Sequence, residues 1–123
     1  MVVDTSIFIE FLRKKNKTET VLFSLPENVQ LAISSITLYE LLMGATNKSK
    51  KEDIKLLTED LLVLPFDRKV AEKSGEIYHQ LRKENNMIEF RDIFIAATCL
   101  VYQMPVKTLN QKHFKRIANL EIA

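Results

Sequence analysis

Short apolar runs alternate with amphipathic stretches along the chain, and this pattern predicts strands followed by helices. The apolar pair at 2–3 is followed by polar residues 4–6 and then by apolar residues at helical spacing over 7–12. The pattern recurs where apolar residues alternate over 29–33 and a stripe with i, i+3, i+4, i+7 spacing follows over 38–45. Each segment therefore predicts a strand, a turn and an amphipathic helix.

The rest of the chain continues this alternation. The predicted elements are a helix over 54–61, a short strand over 62–64, a helix over 70–81 capped by Asp67, a mostly buried helix over 92–102, a strand over 104–109, a short helix over 111–116 and an edge strand over 120–122. Strands that alternate with helices favour a parallel sheet that is covered on both faces. We therefore predict an α/β fold of three layers, with a short sheet of about four or five strands between layers of helices.

Composition and charge narrow the class of protein. With 123 residues, 46% of them hydrophobic and 28% charged, the chain predicts one globular domain over 1–123. Its 18 Lys and Arg residues against 16 Asp and Glu residues leave a formal charge of +2. This small excess excludes polybasic proteins that hold nucleic acid by bulk charge, so any contact with nucleic acid requires a local site.

Other features indicate the compartment. The single cysteine, Cys99, lies in an apolar run and has no partner for an intramolecular disulfide. No basic and apolar leader precedes Asp4, and no apolar run approaches the roughly 18 residues of a membrane span. We expect a protein of the reducing cytoplasm that makes no membrane contact.

Candidate chemistry collects at one edge of the predicted sheet. The carboxyl ends of parallel strands and the starts of the crossover helices share one edge, and this edge carries Asp4, Glu40, Asp92 and Asn110. Three carboxylates crowded together repel each other unless a proton or a cation neutralises them. Oxygen ligands without a Cys or His cluster select Mg²⁺ or Mn²⁺, ions that assist phosphodiester hydrolysis.

Each of these residues also has a structural interpretation. Asp4 and Asp92 stand where a carboxylate caps a helix or interacts with its dipole. Thr37 and Glu40 have the spacing of a capping box, and Asn110 suits a turn. For a single residue these interpretations hold well, but the coincidence of three acids at one edge favours a metal site.

Four motifs occur in order along the chain, VVDTSIFIEFL, ISSITLYELLMGA, FRDIFIAATCL and VKTLNQKHFKRI. Their order and spacing closely resemble the PIN-domain family, in particular the VapC-type toxins of toxin–antitoxin pairs in bacteria and archaea. The resemblance covers essentially the whole chain and implies a PIN-like fold and a metal-dependent endoribonuclease. It implies that Asp4, Glu40 and Asp92 are the catalytic and metal-binding acids, with Mg²⁺ or Mn²⁺ as the cofactor. It also implies an RNA substrate, a homodimer and a small antitoxin partner.

The chain departs from the family pattern at one position. Asn110 stands where PIN proteins often carry a fourth acid, and His113 stands where related sequences commonly have Asp. An amide adds no charge, which puts a second metal ion in doubt more than the fold. Thr5 and Thr108 match small hydroxyl residues near the family's site and are candidates to orient the carboxylates.

Five basic residues flank the edge residues in sequence and are candidate contacts to the RNA backbone, although solvated surface charge explains each one equally well: Arg91, Lys107, Lys112, Lys115 and Arg116. The alternative function is a non-catalytic PIN-like module that binds RNA or a protein, and the three acids argue against it. Some apolar residues look exposed and are candidates for a dimer face or an antitoxin groove, although packing on the sheet explains most of them: Phe8, Phe11, Leu12, Tyr39 and Met43.

Overall fold

Four short parallel strands form the centre of the fold. The computed structural model describes residues 1–123. The strands are β1 (Val2–Val3), β2 (Ala32–Ser34), β3 (Leu62–Leu64) and β4 (Val106–Lys107), and they lie in the order β3-β2-β1-β4. The predicted edge strand at 120–122 is reduced to a single parallel bridge between Val106 and Ile122. The predicted parallel sheet is therefore confirmed, and it has four strands, the smaller of the two predicted numbers.

Helices cover the sheet and connect its strands. They are α1 (Thr5–Arg13), a 3-10 helix (Lys17–Glu19), α2 (Val21–Ser24), α3 (Ser35–Gly44), α4 (Lys48–Thr58), α5 (Arg68–Lys83), α6 (Phe90–Val101) and α7 (Gln111–Phe114). The 3-10 helix and α2 were not predicted, since each is shorter than the window over which helical periodicity becomes visible. The prediction for α4 was late at both ends, because its first turns are charged and its start is fixed by Asn47, which caps the Lys50 N–H.

Alternate residues of the strands enter two separate cores. Val2 and Ala32 belong to a cluster that contains the apolar residues of α5 and α6, whereas Val3 and Ile33 belong to a cluster with those of α1, α3 and α4. A strand with period-two side chains therefore contributes to both layers. This confirms the predicted three layers.

The structure corrects the bounds of one predicted strand and decides between the two interpretations of the apolar residues that looked exposed. β2 begins at Ala32 and ends at Ser34, so it does not extend over the predicted alternating stretch 29–33, and all three of its residues are buried. Phe8 looked exposed in the sequence but is fully buried in the core beneath α1, whereas Tyr39 and Met43 are more than half exposed. None of the helices combines the length and apolar character that crossing a membrane requires.

Candidate active site

The site lies where β1 and β4 end side by side. The chain runs from β1 to β2 and β3 on one side, and β4 lies on the other side of β1. The carboxyl edge at such a reversal of strand order is the usual ligand site of an open α/β sheet. Asp4 and Thr108 directly follow the two strands there, and the Asp4 N–H donates to the Lys107 carbonyl at 2.9 Å.

Two hydroxyl groups hold the side chain of Asp4. Its Oδ2 atom accepts hydrogen bonds from Ser6 at 2.8 Å and from Thr108 at 2.7 Å. These hydroxyls accept in turn from the backbone N–H groups of Leu109 and Asn110, at 3.1 Å and 2.9 Å. The residue is 2% exposed, and its Oδ1 atom receives no hydrogen bond from the protein.

Asp4 occupies the N-cap position of α1 but makes no side-chain capping bond. Its carboxylate accepts instead from the hydroxyls of Ser6, in α1, and of Thr108, which follows β4, so the capping interpretation of Asp4 is wrong. Two segments about one hundred residues apart along the chain therefore fix the orientation of this carboxylate.

Glu40 reaches the same edge from α3. Thr5, the first residue of α1, donates from its hydroxyl to Glu40 Oε1 at 2.9 Å and is also 3.0 Å from the hydroxyl of the fully buried Thr37. The predicted capping box is wrong, because Ser34 caps α3 by accepting the Thr37 N–H at 3.0 Å. Glu40 is therefore free of a capping role and turns toward α1 and α6.

Asp92 lies in the first turn of α6, which begins two residues earlier, at Phe90. Its Oδ2 atom is 3.1 Å from Nδ1 of His113 on α7. No side-chain capping bond is made at the N-cap residue, Glu89. Asp92 therefore contributes a carboxylate to the edge rather than a cap, although its place in the first turn still favours its negative charge.

The three acids influence each other electrostatically. Burial is the main cause that raises the pKa of Glu40, and the charges of Asp4 and Asp92 add to it, against the hydrogen bond from Thr5 and the charge of Arg91. Burial likewise raises the pKa of Asp92, with Asp4 and Glu89 adding to it and His113 opposing it. The edge therefore concentrates negative charge at a place where water screens it poorly.

The donor set suits a hard divalent cation. Carboxylate oxygens are the ligands that Mg²⁺ and Mn²⁺ prefer, and Asp4 Oδ1 has no protein partner. As they stand, however, no three acidic, His or Cys side chains converge closely enough to enclose an ion. Glu40 and Asp92 each contact a basic side chain, Arg91 at 3.5 Å and His113 at 3.1 Å. The oxygen ligands of the three acids nevertheless fit the chemistry of such an ion.

The other predicted residues are spread around this edge. Asn110 is exposed; its backbone N–H donates to the Thr108 hydroxyl, its carbonyl accepts from the His113 N–H, and its side chain makes no hydrogen bond. Lys112 and Lys115 are exposed on and beside α7. Arg116 donates to the Met87 carbonyl at 2.8 Å, and this hydrogen bond connects the segment after α7 to the loop before α6. Lys107, half-buried, belongs to β4 itself.

Sequence reasoning missed four features of the site. It did not identify Ser6 or Thr37 as partners of the acidic edge, and it did not anticipate the pairs Arg91–Glu40 and His113–Asp92. Ser6 had a usable signal, because a hydroxyl two residues after a strand-end aspartate can fold back onto it. The Arg91–Glu40 and His113–Asp92 pairs had none, because their partners come from different helices.

This arrangement defines an α/β protein with an acidic site at the carboxyl edge of a parallel sheet. Residues 1–120 match the family model of the PIN domain, and the chain belongs to the PIN-domain family. The resemblance inferred from the four motifs is thereby confirmed.

Relatives with curated names share nearly the whole length of the chain. Ribonuclease VapC of Rickettsia bellii is 35% identical over 99% of this chain and 93% of its own length. Ribonuclease VapC1 of Methanocaldococcus jannaschii is 29% identical over 95% of this chain and 80% of its own length. The chain is thus similar to ribonucleases from both a bacterium and an archaeon.

Solved structures show the same fold. VapBC2 of Rickettsia felis, bound to a DNA fragment from its promoter, aligns with a TM-score of 0.87 at 27% identity over 99% of this chain and 96% of its own. VapBC-1 of nontypeable Haemophilus influenzae aligns with a TM-score of 0.85 at 30% identity over 99% of this chain and 95% of its own. These likenesses confirm the predicted PIN-like α/β fold.

Proposed function

We propose that this protein is a metal-dependent endoribonuclease of the VapC type that hydrolyses RNA phosphodiester bonds. Its membership of the PIN-domain family and its similarity to proteins named ribonuclease VapC support the ribonuclease activity. The observation that carries the assignment of the site is the meeting of three acids at one sheet edge, with Asp4 bonded to Thr108, Glu40 bonded to Thr5 and Asp92 beside His113. The site residues and the use of Mg²⁺ or Mn²⁺ are our proposal.

Asp4, Glu40 and Asp92 would hold the divalent ion. When bound, Mg²⁺ or Mn²⁺ supplies positive charge to the scissile phosphate and makes a water molecule nucleophilic at neutral pH. Asp4 contributes an oxygen that no protein group occupies, while Ser6 and Thr108 hold its carboxylate in one orientation. Such hydrogen bonds to a ligating carboxylate preserve both its geometry and its charge.

The remaining polar residues support this role. Thr5 orients Glu40 by a hydrogen bond of 2.9 Å. Asn110 is a neutral residue at the end of β4, so the edge carries three acids rather than four. The exposed Lys112 and Lys115 lie close in sequence to the site, and we propose them, with Lys107, Arg91 and Arg116, as contacts to the RNA backbone.

We also propose a small antitoxin as partner and a homodimer as the assembly. Several of the structural relatives are complexes of a VapC protein with VapB, including those of R. felis and H. influenzae. Light scattering coupled to size-exclusion chromatography tests the dimer, and a mass near the 14.3 kDa of one chain would exclude it. Because RNA is the proposed substrate, we also propose a cytoplasmic location for this activity.

Substitution of two acids tests the nuclease. Asp4→Asn and Asp92→Asn keep the size of the side chain and remove its charge, so both variants should fold while their Mn²⁺-dependent RNA cleavage falls by at least about a hundredfold. The matched control is Asp60→Asn, an exposed residue after α4, which should cleave at the wild-type rate. Undiminished cleavage in both Asp4 and Asp92 variants would overturn the assignment.

A thermal measurement separates the nuclease from a non-catalytic binding module. An ion that binds only the folded state stabilises it and so raises the melting temperature. At an ion concentration of one hundred times the Kd, the free energy of unfolding increases by about 2.7 kcal/mol. We expect Mn²⁺ to raise the melting temperature of the wild type reversibly with EDTA, and to do so much less in Asp4→Asn. A wild-type melting temperature that does not respond to Mn²⁺ would favour the binding module.

A further inference from the structure

Arg91 occupies a position between the acidic edge and the surface. Its Nη1 atom is 3.5 Å from Oε2 of Glu40, and its Nε atom is 3.2 Å from Oε1 of Glu89. Its guanidinium carbon lies 5.4 Å from the centre of the Phe90 ring. The contact with Glu40 therefore points into the site, whereas the contacts with Glu89 and Phe90 lie at the start of α6.

The two carboxylate partners of Arg91 differ in their surroundings. The side chain of Glu40 is 18% exposed and that of Glu89 is 58% exposed, with Arg91 between them at 31%. Glu40 stands near the negative charges of Asp4 and Asp92, which a cation offsets, whereas Glu89 is solvated. Arg91 is thus the positive charge that the structure itself provides to Glu40.

We propose that Arg91 is an internal counter-cation that exchanges partners: it neutralises Glu40 before metal binding, is displaced from Glu40 by the divalent ion, and then binds an RNA phosphate at the edge. This inference rests on the proposed function of the site. Glu89 and Phe90 retain the arginine near the edge after displacement, because their contacts do not involve Glu40. A guanidinium presents a planar set of donors that matches phosphate oxygens.

The exchange predicts opposite effects of one substitution on two ligands. Removing the charge of Arg91 leaves Glu40 without a competing cation and removes repulsion of the incoming ion, so metal binding becomes tighter. The same substitution removes a phosphate ligand, so RNA binding in the presence of a divalent ion becomes weaker. A residue that merely supports the fold would weaken both or neither.

Calorimetric titration with Mn²⁺ alone tests the first effect. We expect Arg91→Gln to bind Mn²⁺ about three- to tenfold more tightly than the wild type, as a partly exposed ion pair allows. Arg91→Lys, which retains the charge, should stay within about twofold. The control Arg82→Gln removes the same charge from α5, where Arg82 contacts the Tyr78 hydroxyl and no acid of the site, and should also stay within about twofold. Unchanged or weaker Mn²⁺ binding by folded Arg91→Gln would overturn the proposal.

A measurement on the wild type needs no substitution. In a ¹⁵N-labelled sample, the Nε–H signal of Arg91 should move as Mg²⁺ is added, because its guanidinium loses one of two carboxylate partners. A signal that stays in place while calorimetry records Mg²⁺ binding would contradict the exchange. If the wild type binds neither Mn²⁺ nor Mg²⁺, the proposed function fails first, and the two failures are thereby distinguished.

Fluorescence anisotropy of a labelled single-stranded RNA oligonucleotide tests the second effect, with Ca²⁺ as the probe ion and gel analysis to verify that the RNA stays intact. We expect Arg91→Gln to lower the RNA affinity about three- to tenfold with Ca²⁺ and less than about twofold in EDTA, where Arg91 is paired with Glu40. An equal loss of affinity in both solutions would refute the exchange of partners.

Discussion

The hydroxyl of Thr108 gives the sharpest test of how Asp4 is held. It donates to Asp4 Oδ2 at 2.7 Å, and the residue is 3% exposed. Thr108→Val replaces the hydroxyl by a methyl group of similar size, so the shape of the site is preserved. Asp4 Oδ2 then keeps only the bond from Ser6, and the N–H of the exposed Asn110, which the Thr108 hydroxyl accepts at 2.9 Å, bonds to water instead.

The expected cost follows from the charge of the acceptor. A hydrogen bond to a charged group contributes about 1.5–3 kcal/mol, whereas one between neutral groups contributes about 0.5–1.5 kcal/mol. With an unfolding entropy of about 2.1 cal/mol/K per residue, a chain of 123 residues loses about 4 °C of melting temperature per kcal/mol. Thr108→Val should therefore lower the melting temperature by about 6–12 °C.

Thr98→Val is the matched control. Thr98 is 1% exposed, and its hydroxyl bonds only to the Phe94 carbonyl of its own helix, at 2.8 Å. The change in volume and polarity is the same, but the acceptor is neutral and keeps its helical N–H partner, so the loss should be about 2–6 °C.

Urea denaturation measures both variants, and the slope of the free energy of unfolding against urea should equal that of the wild type. RNA cleavage provides a second readout, because loosening a ligating carboxylate commonly costs about 10–100-fold in activity. Thr108→Val should lose that activity and Thr98→Val should retain it. If Thr108→Val were no less stable than Thr98→Val, the hydroxyl would not be stabilising a charged Asp4.

Two further expectations concern groups whose pKa is shifted. Burial and the neighbouring acids raise the pKa of Glu40 above 4.5, so the folded state binds a proton there more readily than the unfolded state does. As the pH falls from 7 toward 4.5, the wild type should therefore become more stable relative to Glu40→Gln. Scanning fluorimetry without divalent ions should accordingly show Glu40→Gln melting higher than the wild type at pH 7, and a lower value would contradict the direction of the shift. Burial raises the pKa of Cys99 to about 12, so the native thiol should resist a disulfide reagent at pH 8 and react only in urea. Rapid labelling of the native protein would contradict this expectation, because it would show that the thiol is accessible.

The backbone positions of the acids could be predicted from the sequence, because they depend on short-range pattern. A polar residue directly after an apolar run marks a strand end, and Asp4 fits that rule even though β1 has only two residues. Asp92 was placed at the start of α6 from the apolar character of the helix that follows it. Errors of one to several residues at the ends of α4 and α6 did not move any acid away from the edge.

The partners of the acids could not be predicted, since they depend on how distant segments meet. Thr108 reaches Asp4 across 104 positions of the sequence, and Thr5 reaches Glu40 across 35. The sequence offers Arg91 as a candidate RNA contact or a solvated surface charge, yet in the structure it pairs with Glu40 from another helix. Local patterns carry no information about such side-chain pairs, whereas they do constrain which edge each helix start occupies.

The division of partners among the acids is itself informative. Glu40 and Asp92, with side chains 18% and 16% exposed, each contact a basic side chain. Asp4 is the most buried of the three and has no basic partner, only hydroxyl donors on one of its oxygens. A buried carboxylate without a cation is costly, so its persistence requires either strong hydrogen bonds or an external positive charge. The hydroxyls stabilise the charge on Oδ2 and leave Oδ1 free, which is the arrangement expected of the acid around which a divalent ion would be held.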